Sequence, residues 1–315
     1  MTPRLLGLSA AAIAIAMVSA CGSAGESGAS DGKVTVAAAF YPLEYAVSQI
    51  GGDHVAVQAL TKPGAEPHDL ELNPKQVGEV AQADLVVYEK GFQPAVDDAV
   101  KGEAADSAFD VSPAARLDLL ATEDGHDHAG ESQEEHSAHE GEAKDPHFWL
   151  DPLRYADVGD AIAAELGKRD SANAAAYTAN AEKFRAQMVS LDGEFRTGLK
   201  TCKVKDLVTS HAAFGYLSEA YGFTQESITG LTPDSEPSPS ALADLAAHIR
   251  ESGATTVYAE TLVSEDVAKT LARETGATLA VLDPIEGITT KSAGQDYPSV
   301  MRANLATLEA GQECS

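Results

Sequence analysis

The middle of this chain carries one long helical face, and few folds can accommodate it. Ala174, Tyr177, Ala181, Phe184, Met188, Leu191 and Phe195 recur three or four residues apart, the spacing that lines up one side of an α-helix. Taken from about residue 171 to 199, such a helix would be roughly 40 Å long at 1.5 Å per residue. One small lobe does not need that length. A connector between two lobes is therefore the preferred reading, and a surface helix of a single lobe is the alternative.

Both flanks of this helix alternate strand and helix signals. Before it, residues 33–39 read as a strand, Pro42 opens a turn and a helix through Ile50, and residues 54–60 form a second strand. Asn73-Pro74 then starts a helix in cap-plus-proline style, residues 84–88 give a third strand, and shorter elements follow to Leu120. After Cys202 come strands at 207–210, 224–228, 255–260 and 278–282. Helices lie between them at 214–221, from Ser238-Pro239-Ser240 to about Glu251, and at 264–275, with a last helix at 297–308. Such alternation makes parallel βα units, so the expected fold class is α/β, with two α/β lobes. The expected organisation is an N-terminal lobe at 33–152, helices including the connector at 153–200, and a C-terminal lobe at 201–315. The two lobes share no convincing sequence repeat.

The N-terminus reads as an export signal. Arg4 precedes an uncharged apolar run from Leu5 to Val18, long enough for a signal-peptide core and short for a membrane span. Val18-Ser19-Ala20-Cys21 resembles a bacterial lipobox, although Leu is commoner than Val in its first position. Residues 1–20 are thus expected to be cleaved and Cys21 to be lipidated, anchoring the chain to the cell membrane on its extracytoplasmic side. Residues 21–32, rich in Gly, Ser and Ala, would be a tether. An ordinary signal peptide with an incidental cysteine is the alternative. With Cys21 lipidated, Cys202 and Cys314 remain, and in an oxidising compartment they are expected to pair rather than bind metal. The formal net charge of −27 argues against a nucleic-acid partner, whose affinity comes from Lys and Arg on phosphates.

Nine histidines are present. His126, His128, His136 and His139 sit in an acidic segment, 122–145, that has no aliphatic side chain larger than Ala and so cannot build a core; it reads as a loop and a possible auxiliary metal site. Among the others, His68 follows the second strand in a Pro/Gly-rich turn, His147 precedes Phe148-Trp149, and His211 ends the 207–210 strand. Asp283 ends the 278–282 strand. Ligands of open α/β sheets bind beyond the carboxyl ends of strands, and two of these residues come from each side of the long helix. Three imidazoles and one carboxylate converging in a cleft make a tetrahedral, nitrogen-rich set of the kind zinc favours. His54 and His248 lack such placement.

These residues also carry a family resemblance. PHDLEL at His68, DPHFWLDP at His147, SHAAFGYL at His211, AETLVS at Glu260 and LDPIEG at Asp283 make the chain, from about Lys33 onward, similar to the metal-type (cluster A-I) substrate-binding lipoproteins of ABC importers, in their zinc branch. The resemblance implies two lobes joined by one rigid helix with metal in the interlobe cleft, and a role in capturing Zn2+ for a membrane permease. It puts His68, His147, His211 and Asp283 on the metal, with a fourth position that varies in the family between carboxylate and water; Glu66, two residues before His68, is the alternative oxygen donor nearby. It also makes the histidine-rich acidic loop a feature of zinc importers. A monomer is expected.

Three other readings are weighed against this one. Manganese would be the cargo if oxygen ligands dominated the site. A zinc-dependent hydrolase needs an open coordination position and a general base, whereas three histidines and a carboxylate close the shell, and neither a His-Glu-x-x-His motif nor a nucleophile elbow is present. No enzyme activity is expected. A surface adhesin is compatible with exposure on the cell but is called for by no repeat in the sequence.

Overall fold

The computed structural model describes residues 32–120 and 144–315. The expected signal peptide, Cys21, nearly all of the tether and the four loop histidines fall outside the described residues. In chain order the N-terminal elements are β1 (Val34–Ala38), α1 (Tyr41–Gly51), β2 (Val55–Ala59), α2 (Pro74–Gln82), β3 (Leu85–Tyr88), α3 (Pro94–Glu103), β4 (Ala108–Asp110) and α4 (Ser112–Ala115). Two long helices follow, α5 (Pro152–Arg169) and α6 (Ala174–Gly198). The remainder is β5 (Asp206–Thr209), α7 (Gly215–Tyr221), β6 (Thr224–Ser227), α8 (Pro239–Ser252), β7 (Thr256–Ala259), α9 (Asp266–Thr275), β8 (Thr278–Val281) and α10 (Tyr297–Gly311).

Local sequence explains where several helices start. Asn73 accepts hydrogen bonds from the Lys75 and Gln76 amides while the Gln76 side chain accepts from the Asn73 amide, a complete capping box ahead of Pro74. Asp151 caps α5 and Ser238 caps α8, each followed by proline at the first helical position.

The strands form two four-stranded parallel sheets, ordered β2-β1-β3-β4 and β6-β5-β7-β8. The order is the same in both lobes, so the fold repeats where the sequence does not. In each sheet the connections leave in opposite directions from the central pair, β1 and β3 or β5 and β7. Their carboxyl ends therefore border a crevice.

Helix α6 buries Tyr177, Ala181, Phe184, Met188, Leu191 and Phe195, the periodic face read from the sequence. It packs on α1 and α5 at one side and on α10 at the other, bridging the two lobes as the connector reading requires. Approach to α5 is close: a Cβ on Gly159 would lie 2.6 Å from the Phe184 ring, so only glycine fits there. The main apolar core is continuous from β1 and β3 through α5 and α6 to α7 and α10, and a second, smaller core lies between β7, α8 and α9. A core shared across the lobes resists their independent movement. Cys202 and Cys314, 112 residues apart, form a disulfide that fastens the chain end after α10 to the start of the C-terminal lobe. No described helix is long and apolar enough to cross a membrane.

Candidate metal centre

Four segments deliver the site. His68 lies in the connection after β2, and His147 in the stretch leading to α5. His211 follows β5 and Glu286 lies in the connection after β8. Two residues thus come from each lobe. Their donor atoms all lie within 4.8 Å of one another. Glu286 Oε1 is 3.1 Å from His68 Nε2, 3.0 Å from His147 Nε2 and 3.3 Å from His211 Nε2, and the last two nitrogens are 3.3 Å apart. His147 and His211 are fully buried, and Glu286 is 1 % exposed.

The fourth position differs from expectation. Asp283 lies two residues beyond the end of β8, but it is not among the convergent groups, and Glu286 stands with the three histidines in its stead. The reason is local. Asp283 Oδ1 accepts the Ile285 amide at 2.8 Å, and Asn304 brackets the Asp283 backbone, accepting from its N–H and donating to its carbonyl. Ile285 then adopts φ +59, a left-handed conformation unfavourable for a β-branched residue. The chain bends at the next residue, Glu286, whose carboxylate lies in the cleft. Asp283 builds the turn that aims its neighbour. Glu66, the alternative oxygen donor, stands at the rim: its Oε1 accepts the His68 amide at 2.8 Å and is 4.0 Å from His68 Nε2.

Carboxylates stand behind two of the imidazoles. Asp145 Oδ1 accepts the His147 amide at 2.9 Å and is 2.8 Å from His147 Nδ1. Glu260, one residue beyond β7, accepts the His211 amide through Oε1 at 2.9 Å. Its Oε2 is 2.7 Å from His211 Nδ1, an ion-pair contact at an angle outside that of a hydrogen bond. Among the described residues no carboxylate pairs with His68 Nδ1; the His68 ring instead stands edge-on to Phe92. Asp145 and Glu260 were not singled out from sequence as ligand partners, although both fall inside the quoted motifs.

The electrostatics follow from this packing. Burial pushes Glu286 up, but the charges and hydrogen bonds of His211, His147 and His68 outweigh it and hold the carboxyl well below its usual range. Burial pulls His147 and His211 down, yet Asp145 and Glu286 raise the first, and Glu260 and Glu286 hold the second well above an ordinary histidine. For His68 burial wins and the value falls. Glu66, desolvated and facing the Glu286 charge, is pushed up to about 8. His54 packs edge-on to Tyr177 and His248 pairs with Asp206 at 3.0 Å; neither approaches the cluster.

Comparison with known proteins places this geometry in context. The family model described as "ZnuA: Zinc-uptake complex component A periplasmic" matches residues 36–311. The chain is 39% identical over 288 residues to zinc-binding protein AdcA of Streptococcus pyogenes serotype M3, covering 88% of this chain and 56% of that protein. It therefore spans about half the length of these curated relatives. The high-affinity zinc uptake system protein ZnuA of Bacillus subtilis is 34% identical over 309 residues, 96% of each chain. Among solved structures, the laminin-binding protein of Streptococcus agalactiae, described as bifunctional with adhesin and metal transporting activity, superposes with a TM-score of 0.75 at 28% identity, covering 89% of this chain and 99% of that one.

Proposed function

The chain belongs to the ZnuA family of zinc-uptake components, and on that premise we propose that it captures Zn2+ outside the cytoplasm and delivers it to the membrane permease of an ABC importer. Nε2 of His68, His147 and His211 and a carboxylate oxygen of Glu286 are the ligands. The convergence of these four groups between two lobes carries the reading. A tetrahedron with zinc–ligand bonds of about 2.0–2.1 Å has edges of about 3.3 Å, close to the 3.0 to 3.3 Å spacings around Glu286 Oε1. The wider spacings in the donor set, which reach up to 4.8 Å, close as the ion is seated.

Charge balance supports a divalent cargo. Glu286 cancels one charge of the cation directly, and Asp145 and Glu260, behind the imidazoles that they hold, bring the carboxylate charge around the site to three against the cation's two. Three nitrogen donors against one carboxylate favour zinc over manganese, which prefers more oxygen. The family consists of transport components rather than enzymes, and a four-residue shell keeps no position for the water that a zinc hydrolase activates. Lipidation at Cys21 would keep the monomeric binding lobes beside the permease.

Metal analysis of protein purified without added metal, paired with growth of a deletion strain under chelation, tests the reading. One zinc per chain and growth rescued by zinc are expected. Protein that carries no zinc and takes none from a chromogenic chelator would overturn it.

A further inference from the structure

We infer that Glu260 and Asp145 are positioning residues that keep a proton on Nδ1 of His211 and His147, so that each ring turns an unprotonated Nε2 to the metal. The inference rests on the site proposed above and goes beyond its ligand set. Neutral imidazole carries one proton, and whichever nitrogen holds it is closed to metal. Asp145 Oδ1, hydrogen-bonded to His147 Nδ1 at 2.8 Å, would set lone pair against lone pair unless Nδ1 bore the proton, and Glu260 Oε2, 2.7 Å from His211 Nδ1 but off the hydrogen-bond axis, favours a proton there through its charge. Both carboxylates are buried, at 7 and 4 % exposure, so solvent screens neither contact.

The two pairs use different atoms, and this makes the idea testable. Asp145 serves His147 with one oxygen: Oδ1 takes both the backbone amide and the ring nitrogen. Glu260 serves His211 with two: Oε1 takes the amide, while Oε2 faces the ring. In Asp145→Asn the amide oxygen can replace Oδ1 and accept both protons. Gln at position 260 has only one oxygen. If that oxygen keeps the His211 backbone bond, its NH2 group faces Nδ1. The ring must then accept at Nδ1 and carry its proton on Nε2, the atom the metal needs. His68, with no carboxylate behind Nδ1, provides an internal comparison.

Zinc affinity by chelator competition, for wild type, E260Q, D145N and H211A, is one measurement; the ring-nitrogen protonation of His211 by 15N NMR is the other. E260Q should bind zinc about 10- to 100-fold more weakly, the range typical for lost outer partners of metal-bound histidine, and should show the proton on Nε2 in the zinc-free protein at alkaline pH. D145N should lose clearly less. Should E260Q misfold, zinc-loaded wild type still answers, because Nδ1 protons of His147 and His211 should exchange more slowly than that of His68. Wild-type affinity in E260Q, equal losses in E260Q and D145N with an unchanged His211 tautomer, or equal exchange at all three rings would each overturn the inference. Failure of the site itself reads differently: H211A would then bind zinc like wild type.

Discussion

The indole Nε1–H of Trp149 donates to the Pro284 carbonyl at 2.7 Å, joining the segment that carries His147 to the one that carries Glu286. The donor and its acceptor come from opposite lobes, two residues from a ligand on each side. Tyr297 reinforces the link by donating its hydroxyl to the Trp149 carbonyl. Trp149 is fully buried, so water cannot replace the bond if it is lost.

Trp149→Phe should therefore destabilise the protein by about 1–3 kcal/mol from the stranded Pro284 carbonyl alone, with some added cost for the smaller ring. It should also weaken zinc binding, since Glu286 loses a brace. Thermal melts with and without zinc check both effects. An unchanged zinc affinity would mean that the turn at Ile285 holds Glu286 without help.

Asp283 and Glu286 should respond oppositely to loss of charge. In Glu286→Gln the only anionic ligand is gone and three imidazoles face the cation alone. Zinc affinity should fall more than the roughly 10- to 100-fold typical of an outer partner. Asp283→Asn keeps an oxygen that can accept the Ile285 amide, so it should bind zinc nearly as wild type does. If Asp283→Asn abolished binding and Glu286→Gln did not, the fourth ligand has been assigned to the wrong residue.

That contrast marks where the sequence stopped being informative. Periodicity along Tyr177, Phe184, Met188 and Phe195 depends only on side-chain hydrophobicity at helical spacing, and so α6 was readable to within a few residues. His68, His147 and His211 were readable because strand ends and turns border the crevice of an α/β sheet. The fourth ligand depended on the path of the five residues after β8. The LDPIEG motif holds both acids, but it is a positive φ at Ile285, a residue type that rarely adopts one, that precedes the later acid's entry into the cleft. The matching strand orders of the lobes were equally hidden, because topology is shared by sheets whose side chains differ.

The pH dependence should split between metal-free and zinc-loaded protein. In the metal-free site His147 and His211 lie above, and Glu286 well below, their ordinary values. The raised histidines contribute stability fully below their unfolded value of about 6.5 and lose it as pH rises through their folded values. Glu286 contributes above its unfolded value of about 4.3 and loses it as pH falls through its depressed one. Through these three groups the metal-free site is most stabilising between about pH 4.5 and 6.5, while the lowered His68 and the raised Glu66 act against it there. Zinc needs the Nε2 protons to leave, so its affinity rises toward alkaline pH. The increase in melting temperature on adding zinc should therefore widen from about pH 5 to pH 8. A constant increase across that range would contradict a three-imidazole site.

The histidine-rich segment should be separable from the tight site. Leu120 and Lys144 form an isolated antiparallel bridge, and the Asp145 amide donates to the Leu119 carbonyl at 3.1 Å. The two ends of the segment therefore meet, and a short turn could join them without moving Asp145 or His147. His126, His128, His136 and His139 offer imidazoles near many carboxylates, but a composition without large aliphatic side chains gives no core on which ligands could be pre-placed as they are in the cleft. Replacing residues 121–143 with a two-residue turn should leave one tight zinc per chain by chelator competition and remove only weaker calorimetric events. Loss of the tight event on deletion would mean that the segment, and not the cleft, holds the zinc.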